Sequence, residues 1–186
     1  MKKKKLTLKR LIFMALCCDI GFVSKKLISP VTNLITDSLH IPGGIGSSFS
    51  IMFIIIGAVI CDVPGCAILM CAVQGMTAVI IGAGGSMGLL MVVGYIVPGI
   101  VIEICLLIFR KLKIVSSNTI AVTNALAGAS ATVFANAVTF GLKGIALVLY
   151  VAVGFTSGVI FGYLGALLLK RLRPILRTDC AAGKDS

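Results

Sequence analysis

Long apolar runs constrain this sequence more than any other feature. Six of them approach or exceed the length of about 20 residues at which a helix crosses a bilayer. They span residues 8–24, 46–62, 65–83, 87–109, 119–141 and 145–169. A transmembrane barrel would instead show short alternating segments, and the chain has none. With 59% hydrophobic and 12% charged residues, the sequence predicts an all-α membrane protein, a bundle of six transmembrane helices.

Basic residues mark one side of the predicted membrane. Of the 17 lysines and arginines, all but three lie at residues 1–10, follow the fourth run or follow the sixth. The exceptions are Lys25, Lys26 and Lys143. Because basic residues accumulate on the cytoplasmic side, we expect both termini in the cytoplasm, with basic segments at 1–10 and 171–186 around a membrane domain at 11–170 in the cell membrane. The net charge of +11 orients the chain and does not indicate nucleic acid.

The segment between the first two runs and the scarcity of reactive residues limit the functions that the chain can have. A long segment with Pro30 and Pro42 separates the first two runs, which predicts a long first external loop of the kind that often forms a lid. The seven cysteines form no C-x-x-C pair, and the chain has one histidine. Cysteines in apolar runs act as small hydrophobic residues. The sequence therefore predicts no metal, no cofactor and no enzymatic activity.

The last two apolar runs each contain a row of small or polar residues at helical spacing. Gly154, Gly158 and Gly162 recur every four residues, which favours close helix packing in lipid. In the fifth run, Asn124 and Asn136 belong to a row with Gly128 and Thr132 that lies on one helix face. Two interpretations remain open for these amides: hydrogen bonds between helices, or the lining of a ligand cavity.

A single carboxylate interrupts the fourth run. Glu103 lies within "VPGIVIEICLLIFRK", seven residues before Arg110. A charge near the centre of a membrane helix costs about 2.5–3.5 kcal/mol on insertion scales, so it needs a partner or a polar cavity. Glu103 either pairs with Arg110 or Gln74, or anchors a ligand at the floor of a central cavity. Gln74 and Thr77 share a helix face, with the same choice between a helix–helix hydrogen bond and a ligand.

The order of these parts resembles a known family. A basic start, six spans and a first outer loop ending in "HIPGGIGSSFSIMFIIIGAVICDVPGCAILMCAVQGMTAVIIG" are similar to the substrate-binding S component of energy-coupling factor (ECF) vitamin transporters, over about residues 6–175. The stretches "VQGMTAVIIGAGGSMG" and "VPGIVIEICLLIFRK" look most like the thiamine-precursor (hydroxymethylpyrimidine) branch, where a similar glutamate precedes the arginine ending the fourth helix. Gln74 replaces a glutamate of that branch. An Ala-x-x-x-Ala motif of the first helix is here Ala15 and Asp19.

The resemblance implies a subunit that binds a vitamin or vitamin precursor and performs no chemistry. It docks on a transmembrane coupling subunit with two ATPase subunits, and ATP hydrolysis drives release of the ligand. The candidate ligand-binding residues are Glu103, Gln74, Thr77, Tyr95, Asn124 and Asn136. The implied coupling residues are Ala15, Cys18 and Asp19, with Cys17 and Gly21 as a small face one position out of phase.

The predicted site suits one ligand chemistry, and one rival function stays open. A carboxylate, two amides and a glutamine in an apolar cavity fit a small heteroaromatic ligand with amino or cationic groups. The alternative function is a stand-alone membrane transporter or channel for a small polar solute. That class predicts similarity between spans 1–3 and 4–6, of which little is visible.

Overall fold

The structure, a computed structural model, describes residues 8–39, 45–82, 88, 90–114, 116–139 and 141–182. Over these residues the chain is helical and has no strand, which confirms the all-α prediction with six α-helices. The helices are α1 (Leu8–Leu39), α2 (Ile45–Cys61), α3 (Cys66–Ile80), α4 (Leu90–Lys111), α5 (Ser117–Val133) and α6 (Ile145–Ala182). A π-helical turn, Phe134–Thr139, continues α5.

Three stretches are long and apolar enough to cross a membrane: Leu90–Lys111, Ser117–Val138 and Ile145–Leu172. α2 and α3 are apolar but shorter. The outer faces of the bundle carry large exposed apolar side chains, such as Leu16 and Leu167. An exterior of this kind would aggregate in water, whereas lipid tails are as apolar as leucine. The helices therefore associate with a membrane.

α1 differs most from the prediction. The segment expected to form a long external loop continues α1 as a helix through Leu39, with Pro30 inside it. Residues 40–44, which include His40 and Pro42, lie outside the described residues. At 1.5 Å per residue α1 is about 48 Å long, which exceeds the hydrocarbon thickness of about 30 Å. Hydropathy falls at Lys25, but the helix continues past it. The apolar run in the sequence therefore ends before the helix does.

α6 also extends beyond its apolar run. It continues to Ala182 through most of the segment predicted as a basic tail, and residues 183–186 lie outside the described residues. Both differences have one cause, since an apolar run reports the part of a helix that contacts lipid. A polar or basic continuation of the same helix has no such signal.

α5 and α6 approach each other at the glycines of α6. A Cβ atom built on Gly158 would lie 2.6 Å from Ala125 Cα, and one built on Gly162 would lie 2.5 Å from Ala121 Cα. Both distances are below any normal contact, so no larger side chain fits there without moving a backbone. Gly154 continues this row on α6 and is also buried. Small residues thus set the separation of the two helices, as expected where lipid gives no hydrophobic drive to associate.

Buried polar side chains fasten α2 to the same pair. The Asn124 amide Nδ2 donates to the Gly158 carbonyl at 2.8 Å and to the Ser48 carbonyl at 3.4 Å. The hydroxyls of Ser48 and Ser157 lie 3.0 Å apart. These contacts give α2, α5 and α6 a fixed relative position.

We expect Gly158→Leu to destabilise the bundle by more than the roughly 1–3 kcal/mol typical of overpacking, because the new side chain meets backbone atoms of α5. Thermal unfolding and size-exclusion chromatography in detergent measure the effect. Ala152→Leu is the matched control, since Ala152 lies on the exposed face of α6 and should tolerate the change. A Gly158→Leu protein as stable and monodisperse as the control would contradict the packing.

Candidate functional site

A cavity of about 170 Å³ lies at one end of the bundle. The N-terminal parts of α2 and α4 meet the C-terminal end of α5 there, beside Lys25 of α1 and the middle of α3. The polar residues that line it are Lys25, Ser47, Ser50, Gln74, Tyr95, Thr132 and Asn136. The apolar wall includes Ile51, Ile54, Met91, Pro98 and Phe134. An apolar cavity with a few convergent polar groups is the usual form of a small-molecule site.

The Lys25 ammonium lies at the edge of this cavity. Its Nζ donates a hydrogen bond to the Tyr95 hydroxyl at 2.9 Å and lies 4.5 Å from the centre of the Tyr95 ring. A cation over an aromatic face is attracted by the ring quadrupole. The helical continuation of α1 places Lys25 opposite α4. Among the described residues that line the cavity, Lys25 alone carries a charge.

Gln74 lines the cavity and also joins three helices. Its Nε2 donates to the Cys18 carbonyl of α1 at 2.8 Å, and its Oε1 accepts from the Ser50 hydroxyl of α2 at 3.5 Å. Gln74 thus forms the interhelical hydrogen bonds of one interpretation from the sequence, and it also lines the cavity. These bonds fix the orientation of its amide.

Irregular backbone shapes the cavity wall on two sides. Phe134 and Asn136 belong to the π-helical turn after α5, and such turns often occur at functional sites. The Asn136 Nδ2 donates to the Thr132 carbonyl at 2.9 Å. On α4, Pro98 has no backbone N–H, so the Gly94 carbonyl one turn earlier cannot receive its usual helical bond. Gly94 and Pro98 both line the cavity.

Glu103 does not line this cavity, although one interpretation of the sequence placed it at the floor of a central cavity. Its side chain is buried, with 6% of its surface exposed. Its Oε2 accepts a hydrogen bond from the Ala67 backbone N–H at 3.3 Å. Ala67 lies in the first turn of α3, whose N-cap Gly65 has no side chain to serve as a cap. The carboxylate therefore caps α3 from α4, at the positive end of the helix dipole.

Arg110 has other partners than Glu103. Its Nε lies 3.2 Å from Asp62 Oδ1, and its Nη2 donates to the Ala58 carbonyl at 2.8 Å. Arg110 thus holds the end of α2 and the α2–α3 turn, where Asp62 adopts a φ of 50°. The second Glu103 oxygen, Oε1, is buried and has no hydrogen-bond partner among the described residues. Glu103 and Arg110, whose pairing was one alternative from the sequence, thus make separate contacts.

Two further predicted ligand residues also lie outside the cavity. Asn124 is fully buried between helices and bonds to Gly158 and Ser48. The Thr77 hydroxyl donates to the Val73 carbonyl of its own helix at 2.9 Å. The cavity lining thus includes Gln74, Tyr95 and Asn136 of the predicted set, and leaves out Glu103, Asn124 and Thr77.

The predicted coupling residues of α1 lie on two different faces. Ala15 and Asp19 are exposed. Cys18 is buried, and its thiol donates to the Met70 carbonyl at 3.4 Å. Cys17 and Gly21 are buried as well. The small face considered for a partner therefore packs inside the bundle, and the outward face presents Ala15 and Asp19.

Lys25 is the site residue that the sequence analysis missed. The drop in hydropathy at Lys25 and Lys26 placed both in a loop. A helical phase continued from α1 would have aligned Lys25 with Cys18 and Gly21, at spacings of seven and four residues, on one face of the helix.

Comparisons with known proteins identify no relative of this chain. The chain has no match among protein-family models, curated proteins or solved structures. Within the described residues, no group of three or more histidine, cysteine, aspartate or glutamate side chains is placed to hold a metal ion. The geometry therefore defines the class: a helical, membrane-associated bundle with a polar-lined cavity at one end.

We expect Glu103→Ala to lower the unfolding free energy by about 1–3 kcal/mol, because the Ala67 N–H loses its partner in a buried site. Glu103→Gln keeps an acceptor oxygen and should retain most of the stability. Thermal unfolding of the two variants in detergent measures the difference. Equal stability of wild type and Glu103→Ala would show that the carboxylate does not cap α3.

Proposed function

We propose that this chain is the membrane-embedded substrate-binding S component of an ECF-type importer for a vitamin or vitamin precursor. The observation that carries the proposal is a polar-lined cavity inside a helical bundle whose exterior is apolar. Polar groups at membrane depth are rare and usually face a pathway or a ligand. The chain itself binds the ligand, and partner subunits hydrolyse ATP.

Charge placement supports an outward-facing cavity. Arg10, Arg110, Lys111 and Lys170 lie at the end of the bundle opposite the cavity. Under the positive-inside rule, six spans with both termini in the cytoplasm put the cavity on the external side. The part of α1 that extends past the bilayer then stands beside the cavity entrance. It takes the place of the external loop as the candidate lid.

The outer face of α1 suits a partner subunit. Ala15, Leu16 and Asp19 are exposed there. A carboxylate facing lipid costs about 2.5–3.5 kcal/mol near the middle of a span, and a partner helix with a donor or cation opposite Asp19 would remove that cost. Ala15, one turn earlier, allows close approach. We propose this face as the contact with the transmembrane coupling subunit.

The thiamine-precursor assignment has less support than the class. The separate expectation of an amino or cationic ligand included a carboxylate in the cavity, and Glu103 lies elsewhere. Without that carboxylate, the assignment to thiamine or hydroxymethylpyrimidine rests on the resemblance alone. The cavity lining becomes the guide to the ligand.

Co-expression with a coupling subunit and two ATPase subunits tests the proposal directly. We expect the tagged chain to recover all three subunits from detergent, and we expect uptake of the bound molecule by proteoliposomes to require ATP. Uptake by the purified chain alone, without ATP, would instead support a stand-alone transporter and overturn the proposal.

Ala15→Trp should abolish complex formation and ATP-driven uptake while leaving ligand retention intact, because the change adds bulk only on the exposed face of α1. Pull-down of the coupling subunit and native mass spectrometry of the isolated chain measure the two properties. Ala152→Trp places the same bulk on an exposed face of α6 and should leave both unchanged. Normal uptake by Ala15→Trp would move the coupling face to another helix.

A further inference from the structure

We propose that the cavity ligand carries a single carboxylate, which binds to Lys25 beside Tyr95. This inference rests on the proposed binding function and names the chemical class of the ligand. It differs from the expectation of an amino or cationic ligand, which depended on Glu103.

The charge of the cavity is the first argument. Lys25 is its one charged lining residue among those described, and its described contacts are the neutral hydroxyl and ring of Tyr95. The described carboxylates that could offset it, Asp19, Asp62 and Glu103, do not line the cavity. A positive charge at a low-dielectric cavity raises the local concentration of anions. An ammonium or other cationic group of a ligand would be repelled.

The hydrogen-bond geometry is the second argument. A lysine ammonium has three donors and no acceptor, and Lys25 uses one of them on Tyr95. Because the Tyr95 hydroxyl accepts that bond, its own proton points elsewhere. The Lys25 ammonium keeps two donor protons and the Tyr95 hydroxyl keeps one, so both groups at the edge of the cavity can donate to an acceptor. A carboxylate offers two oxygens and forms a charge-assisted bond with the ammonium.

The rest of the lining limits the size and charge of the ligand. One cation balances one negative charge, which favours a carboxylate over a doubly charged phosphate. Ile51, Ile54 and Phe134 enclose an apolar body. Gln74 and Asn136, on other walls, are placed for a second polar group of the ligand. The proposed ligand is thus a small, largely apolar acid.

The approach to the cavity is consistent with this ligand. A surface groove lined by Phe22, Lys26 and Pro30 adjoins the cavity, and the two share Lys25, Met91 and Tyr95 in their linings. The Lys25–Tyr95 pair therefore lies at the boundary between groove and cavity. Lys26 adds a second positive charge on the outer side, which favours capture of an anion before it reaches Lys25.

Matched probes of one ring test the charge preference on the full chain. Pyridine-3-carboxylate, pyridine-3-carboxamide and 3-aminomethylpyridine differ in charge and little in size. We expect the acid to raise the midpoint of thermal unfolding in detergent and to bind about tenfold or more tightly than the amide, the ratio expected from one charge-assisted hydrogen bond. The amine should not bind. If the acid binds no better than the amide, including the case in which no probe binds, the inference is wrong.

Variants assign the preference to Lys25. Lys25→Met should remove the difference between acid and amide, and Lys25→Arg should retain most of it because the charge remains. Lys143→Met removes a lysine from an exposed position at the same end of the bundle and should leave the difference unchanged. An acid preference that survives in Lys25→Met, or that is lost equally in Lys143→Met, overturns the assignment. If Lys25→Met does not fold, the comparison of Lys25→Arg with Lys25→Gln decides.

The outcome separates this inference from the proposed function. If the chain assembles with the ATPase subunits and binds a neutral molecule with no need of Lys25, the ligand class is wrong and the importer role stands. If Lys25 selects acids but the chain recruits no ATPase subunits and transports without ATP, the ligand class stands and the importer role is wrong.

Discussion

Asn124 is the contact on which the arrangement of the bundle depends. Its amide nitrogen donates to backbone carbonyls of α2 and α6 from a fully buried position on α5. In lipid, apolar burial does not distinguish one helix pair from another, so small residues and polar bonds determine which faces meet. The glycines of α6 allow the approach, and Asn124 fixes the register of the three helices.

Glu103, the buried acid of α4, matters for the charge of the cavity because it lies outside the cavity. Glu103 follows Pro98, a cavity residue, by five positions, or about 8 Å along the helix axis. It stabilises the start of α3 by accepting from Ala67, at the end of the bundle that also holds Asp62 and Arg110. The described acids thus lie away from the cavity, and the field there is left to Lys25. A carboxylate placed in the cavity would have neutralised that field.

Much of the fold was predictable from the sequence, since six apolar runs correspond to six helices among the described residues. The ends of α1 and α6 were not, because hydropathy marks contact with lipid while helical structure continues through Lys25 and through the basic end of α6. The glycine row of α6 predicted close helix packing. Glycines at four-residue spacing leave one face of the helix without Cβ atoms, and this lets α5 approach. The spacing of residues along one helix does not indicate which end of a row of polar residues faces a cavity. The row from Asn124 to Asn136 is divided in this way: its first amide is buried between helices and its last lines the cavity.

The contrast between Glu103 and Lys25 shows why an ionisable residue in an apolar helix does not by itself identify a site. Both are conspicuous in the sequence, and both have a neutral hydrogen-bond donor or acceptor as their described partner. Glu103 faces the N-terminus of a helix, which carries a fixed partial positive charge, so its charge is offset by the fold itself. Lys25 faces a hydroxyl and an aromatic ring, which orient the ammonium without offsetting its full charge. The charge that the fold does not offset lies on α1, at the boundary between the groove and the cavity.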